Sequence, residues 1–144
     1  MMLYARINLI QTYYQMMDSD WQHITNPDTV MLNHIYITYC KHKNFPSFMP
    51  IFESEYFDPN NDVIGYYDDS RLVAFSLIRR YSIDDAECVQ FAWDYSKPKR
   101  RLGIQSLKHE CALYKEKGFK YLYLGEADEY KSEIDGFEIL GPLK

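Results

Sequence analysis

The chain has 144 residues, 47% of them hydrophobic and 26% charged, with a net charge of -5 and three cysteines. That length fits one domain with a proper core. The acidic balance excludes general nucleic-acid binding through the whole surface and leaves only local basic patches. Apolar runs are too short to span a bilayer, and the residues after Met1 lack the pattern of a signal peptide. Cys40, Cys88 and Cys111 are widely spaced and odd in number, which fits a reduced, cytoplasmic protein better than a disulfide framework.

In chain order, residues 1–57 read as a helical part. Ile7, Ile10, Tyr13, Tyr14 and Met17 recur at spacings of three and four, the pattern of an amphipathic helix. Asn26-Pro27-Asp28 signals a helix start. Val30, Leu32, Ile35, Ile37 and Tyr39 follow as a second apolar run whose β-branched content suits helix or strand. The region 63–140 then turns to sheet. Val63–Tyr67 and Arg71–Tyr81 form a hairpin over Asp68-Asp69-Ser70, the second strand apolar on both faces and so central. Ala86–Tyr95 is a third strand, with Glu87, Val89, Phe91, Trp93 and Tyr95 on one face and Cys88, Gln90, Ala92 and Asp94 on the other. Gly103–Lys117 is a helix with Ile104, Leu107, Cys111 and Tyr114 along one stripe, and Gly118 caps it. A short strand (Phe119–Leu124), a brief helix (Ala127–Glu133) and a last strand (Phe137–Leu140) complete one domain. The class is α+β, a mixed central sheet flanked by helices.

The turn Lys97-Pro98-Lys99-Arg100-Arg101-Leu102-Gly103 joins the third strand to this helix. It gathers four basic residues in an acidic chain. Its glycine leaves room for a phosphate near the backbone, and the first helical amides are free to meet it. The alternative is a solvated basic surface. The histidines sit near cysteines at Cys40-Lys41-His42 and His109-Glu110-Cys111, but without the spacing of a metal site, so no metal is expected. Trp21, His23, His34 and the aromatics of 45–57 are available either to an acceptor pocket or to an ordinary core.

This layout resembles the GNAT superfamily of acyl-CoA-dependent N-acyltransferases. Arg100-Arg101-Leu102-Gly103-Ile104-Gln105 is similar to that family's Arg/Gln-x-x-Gly-x-Gly/Ala motif and departs from it at Gln105. The resemblance implies an acyl-CoA co-substrate such as acetyl-CoA. Its pyrophosphate would lie on Arg100, Arg101, Leu102, Gly103, Ile104, Gln105 and Ser106, and its carbonyl against a bulged strand near Phe91, Ala92 and Trp93. Ala127-Asp128-Glu129-Tyr130, followed by Gly136-Phe137, matches a second family motif, with Glu126 where an Asn is common. It implies that Tyr130 protonates the leaving thiolate; the plainer role for Tyr130 is packing. Glu87, Asp94 and Glu126 are the carboxylates placed to take a proton from the attacking amine. Acceptors would be small-molecule or peptide amines. Arg100–Gly103 together with Tyr121-Leu122-Tyr123-Leu124-Gly125 also resembles the C-terminal half of arginyl- and leucyl-tRNA–protein transferases, which implies a charged tRNA as donor. A third reading is a non-catalytic binding protein of the same fold.

Overall fold

A computed structural model describes residues 4–42, 51, 53–94, 102–126 and 133–141. It contains one seven-stranded sheet. The strands are β1 (Tyr4–Asn8), β2 (Trp21–Ile24), β3 (Asn61–Asp68), β4 (Arg71–Arg80), β5 (Asp85–Trp93), β6 (Tyr121–Glu126) and β7 (Phe137–Gly141). Three helices accompany them: α1 (Thr29–His42), α2 (Glu53–Phe57) and α3 (Leu102–Glu116). The sheet order is β2-β3-β4-β5-β6-β1-β7. Every pairing is antiparallel except β5 with β6, which the α3 crossover makes parallel.

The helix expected over Ile7–Met17 does not form. Tyr4–Asn8 alternates half-buried and buried positions, with Ala5 and Ile7 inward, and inserts between β6 and β7. A 3-10 turn, Leu9–Gln11, follows. Ile10 and Tyr13, two members of the supposed apolar stripe, are 62% and 84% exposed. Burying Ile7 and Leu9 in a strand and turn therefore outweighs the helical spacing. Trp21–Ile24 adds a second unforeseen strand, paired on the edge of β3. The second apolar run is helical: Asp28 Oδ1 accepts the amide of Met31 at 3.1 Å, as an N-cap should, and Leu32, Ile35, Tyr36 and Cys40 are buried.

The hairpin turn, the inner stripe of α3 and its cap fall where the sequence places them, while α2 forms in a stretch not expected to be helical. Asp69 and Ser70 take φ of 49° and 66°, the left-handed pair that a two-residue hairpin needs. Ile104, Leu107, Cys111 and Tyr114 are all buried. Gly118, at φ 94°, lets Phe119 N–H reach the carbonyl of Tyr114 at 3.0 Å. The sheet separates two apolar clusters. One contains Leu32, Ile35 and Tyr36 of α1 with Val63, Phe75, Leu77 and Ala92. The other contains Ile104, Leu107, Cys111 and Tyr114 of α3 with Ile7, Ile64, Tyr66, Ala74, Ile78 and Leu122.

Candidate functional site: a split in the sheet beside α3

The feature that positions a site is an interruption between the two parallel strands. β5 and β6 pair only through Asp85–Tyr121, Ala86–Leu122 and Glu87–Tyr123. Beyond that apex β5 stays with β4, and β6 stays with β1 as far as Glu126 opposite Tyr4. Each diverging strand carries a bulge. On β5, Cys88 faces Ile78 and Gln90 faces Leu77, so Val89 is the extra residue. On β6, Tyr123 faces Arg6 and Gly125 faces Ala5, so Leu124 is the extra residue. A bulge bends its strand and raises its local twist. Two bulges on neighbouring strands account for a gap that opens toward the strands' C-terminal ends. Among the described residues the two walls of the gap do not pair with each other beyond Glu87, and the Phe91 carbonyl on the β5 wall accepts Gln90 Nε2 at 2.7 Å.

Val89 also re-aims the side chains, because one extra residue reverses the alternation. Glu87 was expected to share a face with Phe91 and Trp93. Instead Phe91 and Trp93 face the α3 side, opposite Ser76 and Ala74, and pack on the α3 cluster. Glu87, opposite Arg79, lies on the other face. It is half-buried at the apex, and its Oε1 accepts the Tyr81 hydroxyl at 2.6 Å. That bond raises the Tyr81 pKa. Ala92 is fully buried against α1, and Asp94 follows it on that face, also buried. The bulge expected near Phe91, Ala92 and Trp93 thus lies slightly earlier, at Val89.

The crossover from β5 leads to the N-terminus of α3. Leu102 and Gly103 form its first turn. Ile104 and Ser106 are buried, whereas Gln105 is exposed beside Lys108. Arg100, Arg101 and Tyr130 lie outside the described residues, as does the side chain of Glu126. The expected helix at 127–133 falls there too, apart from Glu133.

Under β3 and β4, on the α3 side of the sheet, lies a polar cluster that sequence reasoning missed. Glu110 is fully buried, and its Oε2 accepts Ser76 Oγ at 2.6 Å and the Tyr66 hydroxyl. Tyr66 also approaches the carbonyl of Ser106 at 3.4 Å, which ties the start of α3 to β3. Burial pushes the Glu110 carboxyl up to about 7 against the smaller opposing effect of the two hydroxyls. Its neighbour His109 is driven down to about 4 by burial. The neutral ring accepts Met17 N–H at Nδ1, 2.9 Å away, and Trp21 packs on it with ring centroids 4.3 Å apart. Trp21 thus packs on the α3 side of the core and also lines an open hollow with Asp20, Gln22, Tyr67 and Ser70. The signal for Glu110 was in the sequence: it stands three residues after Leu107 and four before Tyr114, on the apolar face of α3.

A second buried group closes the far end of the sheet. Tyr114 donates to Asp62 Oδ2 at 2.6 Å, and Arg80 Nε lies 3.4 Å from the same oxygen. Among the described residues no three His, Cys, Asp or Glu side chains gather as metal ligands would. Among them, too, no helix is long and apolar enough to cross a membrane.

Comparison with solved structures places the fold. A GNAT-family putative acetyltransferase from Novosphingobium aromaticivorans superposes with a TM-score of 0.69 at 16% identity, over 96% of this chain and 60% of that one. The C-terminal domain of a putative lysylphosphatidylglycerol synthetase from Agrobacterium fabrum gives 0.61 at 15% identity, over 88% and 47%. A GCN5-related N-acetyltransferase from Kribbella flavida gives 0.60 at 12%, over 99% and 58%. The chain thus has a GNAT-like α+β fold and spans about half to three-fifths of the length of these structures. No curated protein matches it. The model of the family described as arginine-tRNA-protein transferase, C terminus, matches residues 5–135. The chain belongs to that family.

Proposed function

We propose that this chain transfers an aminoacyl group from a charged tRNA to an amine on a protein or peptide. The observation that carries the proposal is the family match over residues 5–135. The split between β5 and β6 supports it by offering a place for the reacting ester, and the basic turn leading into α3 offers amides and cations for the donor's terminal phosphate.

In this reading the amine nitrogen attacks the ester carbonyl directly. A C–N bond forms, and the bond from carbonyl carbon to ribose oxygen breaks. Glu87 at the apex, or Glu126 at the tip of β6, takes the proton leaving the amine, directly or through water. Tyr130 returns a proton to the departing ribose oxygen. A backbone amide of the bulged β5 near Val89 polarises the carbonyl. Holding both reactants in one gap replaces a bimolecular encounter by an oriented one.

The second reading is acyl transfer, such as acetyl, from an acyl-CoA to an amine, with the thiolate as leaving group. The Gly103 motif at the start of α3 and the split sheet favour it. A thermal-shift comparison separates the two, because a ligand that binds only the native state raises its stability. Charged or uncharged tRNA should raise the melting temperature at low salt, while acetyl-CoA and coenzyme A should not. A shift with coenzyme A alone would transfer the proposal to the second reading. No shift with any of them would leave a non-catalytic role.

A further inference from the structure

A hydroxyl group in the core stands between two acceptors. Tyr66 on β3 bonds Glu110 Oε2 and also lies 3.4 Å from the carbonyl oxygen of Ser106. It has one hydrogen to give. All three residues are buried. The Ser106 contact is longer than an ordinary O–H···O bond, which fits a hydrogen given to Glu110. Ser106 stands in the opening turns of α3, three residues after Gly103, so whatever holds its carbonyl holds the head of the helix against β3.

The number of hydrogens in this cluster decides how it responds to a proton. With Glu110 ionised, Tyr66 and Ser76 supply two, and both go to Oε2. With Glu110 neutral there are three. Among the described residues nothing bonds the other carboxyl oxygen, Oε1. A hydrogen placed there would be buried without an acceptor, which folded proteins avoid. Placed on Oε2, it reaches the oxygen of Ser76 or of Tyr66. Among the described residues only Tyr66 leads on to a further acceptor, the Ser106 carbonyl. A carbonyl oxygen has two lone pairs, so it accepts such a bond beside its helical one.

We propose that Glu110, Tyr66 and Ser106 form a proton-operated latch on the head of α3. With Glu110 neutral, its hydroxyl donates to the Tyr66 oxygen, and the Tyr66 hydroxyl donates to the Ser106 carbonyl and ties α3 to β3. With Glu110 ionised, Tyr66 turns its hydrogen to the carboxylate and the tie opens. The latch goes beyond the transfer reading and is the same for either donor. It works near neutrality, because burial pushes Glu110 up to about 7, while burial raises Tyr66 well above its ordinary value and keeps it protonated. It is closed below that value for Glu110 and open above it. Other titratable groups face the cluster. His109 of α3 is neutral in this range, since burial drives it down to about 4. Burial raises Cys111 and Tyr114 of α3, and both keep their protons. Asp62 and Arg80 lie beyond Tyr114. Cys88 of β5 stands near Tyr66 and is controlled for in the test.

The test is a pH titration of the isotope-labelled full chain by NMR, from about pH 5 to about pH 9. It follows the Glu110 carboxyl carbon and the Ser106 carbonyl carbon. Both should move in one shared step centred near 7. Tyr66→Phe keeps the ring and has no hydrogen to donate. There the Glu110 step should remain, and the Ser106 step should shrink to the remnant that the nearby charge alone produces. Glu110→Gln should abolish the Ser106 step, and Cys88→Ser should leave both steps as in wild type. A wild-type Ser106 carbonyl that stays flat while Glu110 titrates would overturn the latch without any variant. So would a Ser106 step of full size in Tyr66→Phe, or one lost in Cys88→Ser. No donor enters this measurement, so failure of the transfer reading and failure of the latch are seen separately.

Discussion

Glu110→Gln should make the protein more stable at alkaline pH and remove most of one pH dependence. In the folded chain the Glu110 carboxyl titrates near 7, against an ordinary value of 4.5. The fold therefore prefers the neutral acid. Stability from this preference is fully present below about 4.5 and is lost as pH rises through about 7. Above 7 the carboxylate is charged in both states, and the folded state carries the whole cost of burying it. At about 1.4 kcal/mol per tenfold, that cost is about 3 kcal/mol. At pH 5 the unfolded chain has already lost most of its proton while the folded one keeps it, so only about 1 kcal/mol of the cost is felt. Glutamine keeps the shape and carries no charge. With its oxygen placed where Oε2 lies, it accepts from both hydroxyls as the carboxylate does. The advantage of the variant over wild type should thus grow by about 2 kcal/mol between pH 5 and pH 8. His109 titrates in the opposite sense, stabilising above its ordinary value and losing that contribution as pH falls toward 4. It is present in both proteins and cancels. Urea midpoints at the two pH values, converted with a common slope, read the difference. Parallel pH profiles for the two proteins would show that Glu110 is not held neutral by the fold, and the argument would fail.

Three further outcomes follow from the same structure. Gly136→Ala should cost at least about 2 kcal/mol, because Gly136 sits at φ 79° and a methyl group there would run into the carbonyl oxygen of Asn8; an unfolding midpoint equal to wild type would contradict the tight turn into β7. Tyr130→Phe should lower kcat by about a hundredfold while donor affinity stays unchanged, as read by single-turnover rates alongside binding; undiminished turnover would remove Tyr130 from the chemistry. Gln105→Ala should leave coenzyme A affinity within about twofold of wild type, because its exposed side chain turns toward Lys108 on the outer face; a large gain measured by calorimetry would mean that Gln105 had been blocking a coenzyme A site.

The parts of the fold that sequence revealed are those where one residue's chemistry decides local geometry. Gly118 ends α3, Asp69-Ser70 turns the hairpin, and the spacing of Ile104, Leu107, Cys111 and Tyr114 faces α3 to the sheet. Short strands were another matter. The last two residues of β1, Ile7 and Asn8, open a run whose apolar spacing also suits a helix, and only insertion between β6 and β7 decides for the strand. Single-residue bulges left no mark at all. Val89 looks like any strand valine, yet it moves Glu87 to the face opposite Phe91 and helps open the split. The buried Glu110 was legible in principle, as a carboxylate on an apolar helical stripe. Its partners Ser76 and Tyr66 come from strands far off in sequence, so the cluster itself appears only in three dimensions.

The most direct measurement of the central claim is a transfer assay with competing donors. The purified chain would be given an acceptor peptide, a tRNA carrying a labelled amino acid, and labelled acetyl-CoA, with the product resolved by mass. The account predicts that the peptide gains one aminoacyl residue, and that treating the tRNA with ribonuclease beforehand abolishes the gain. A peptide that gains an acetyl group and no amino acid, with the same yield after ribonuclease, would contradict it.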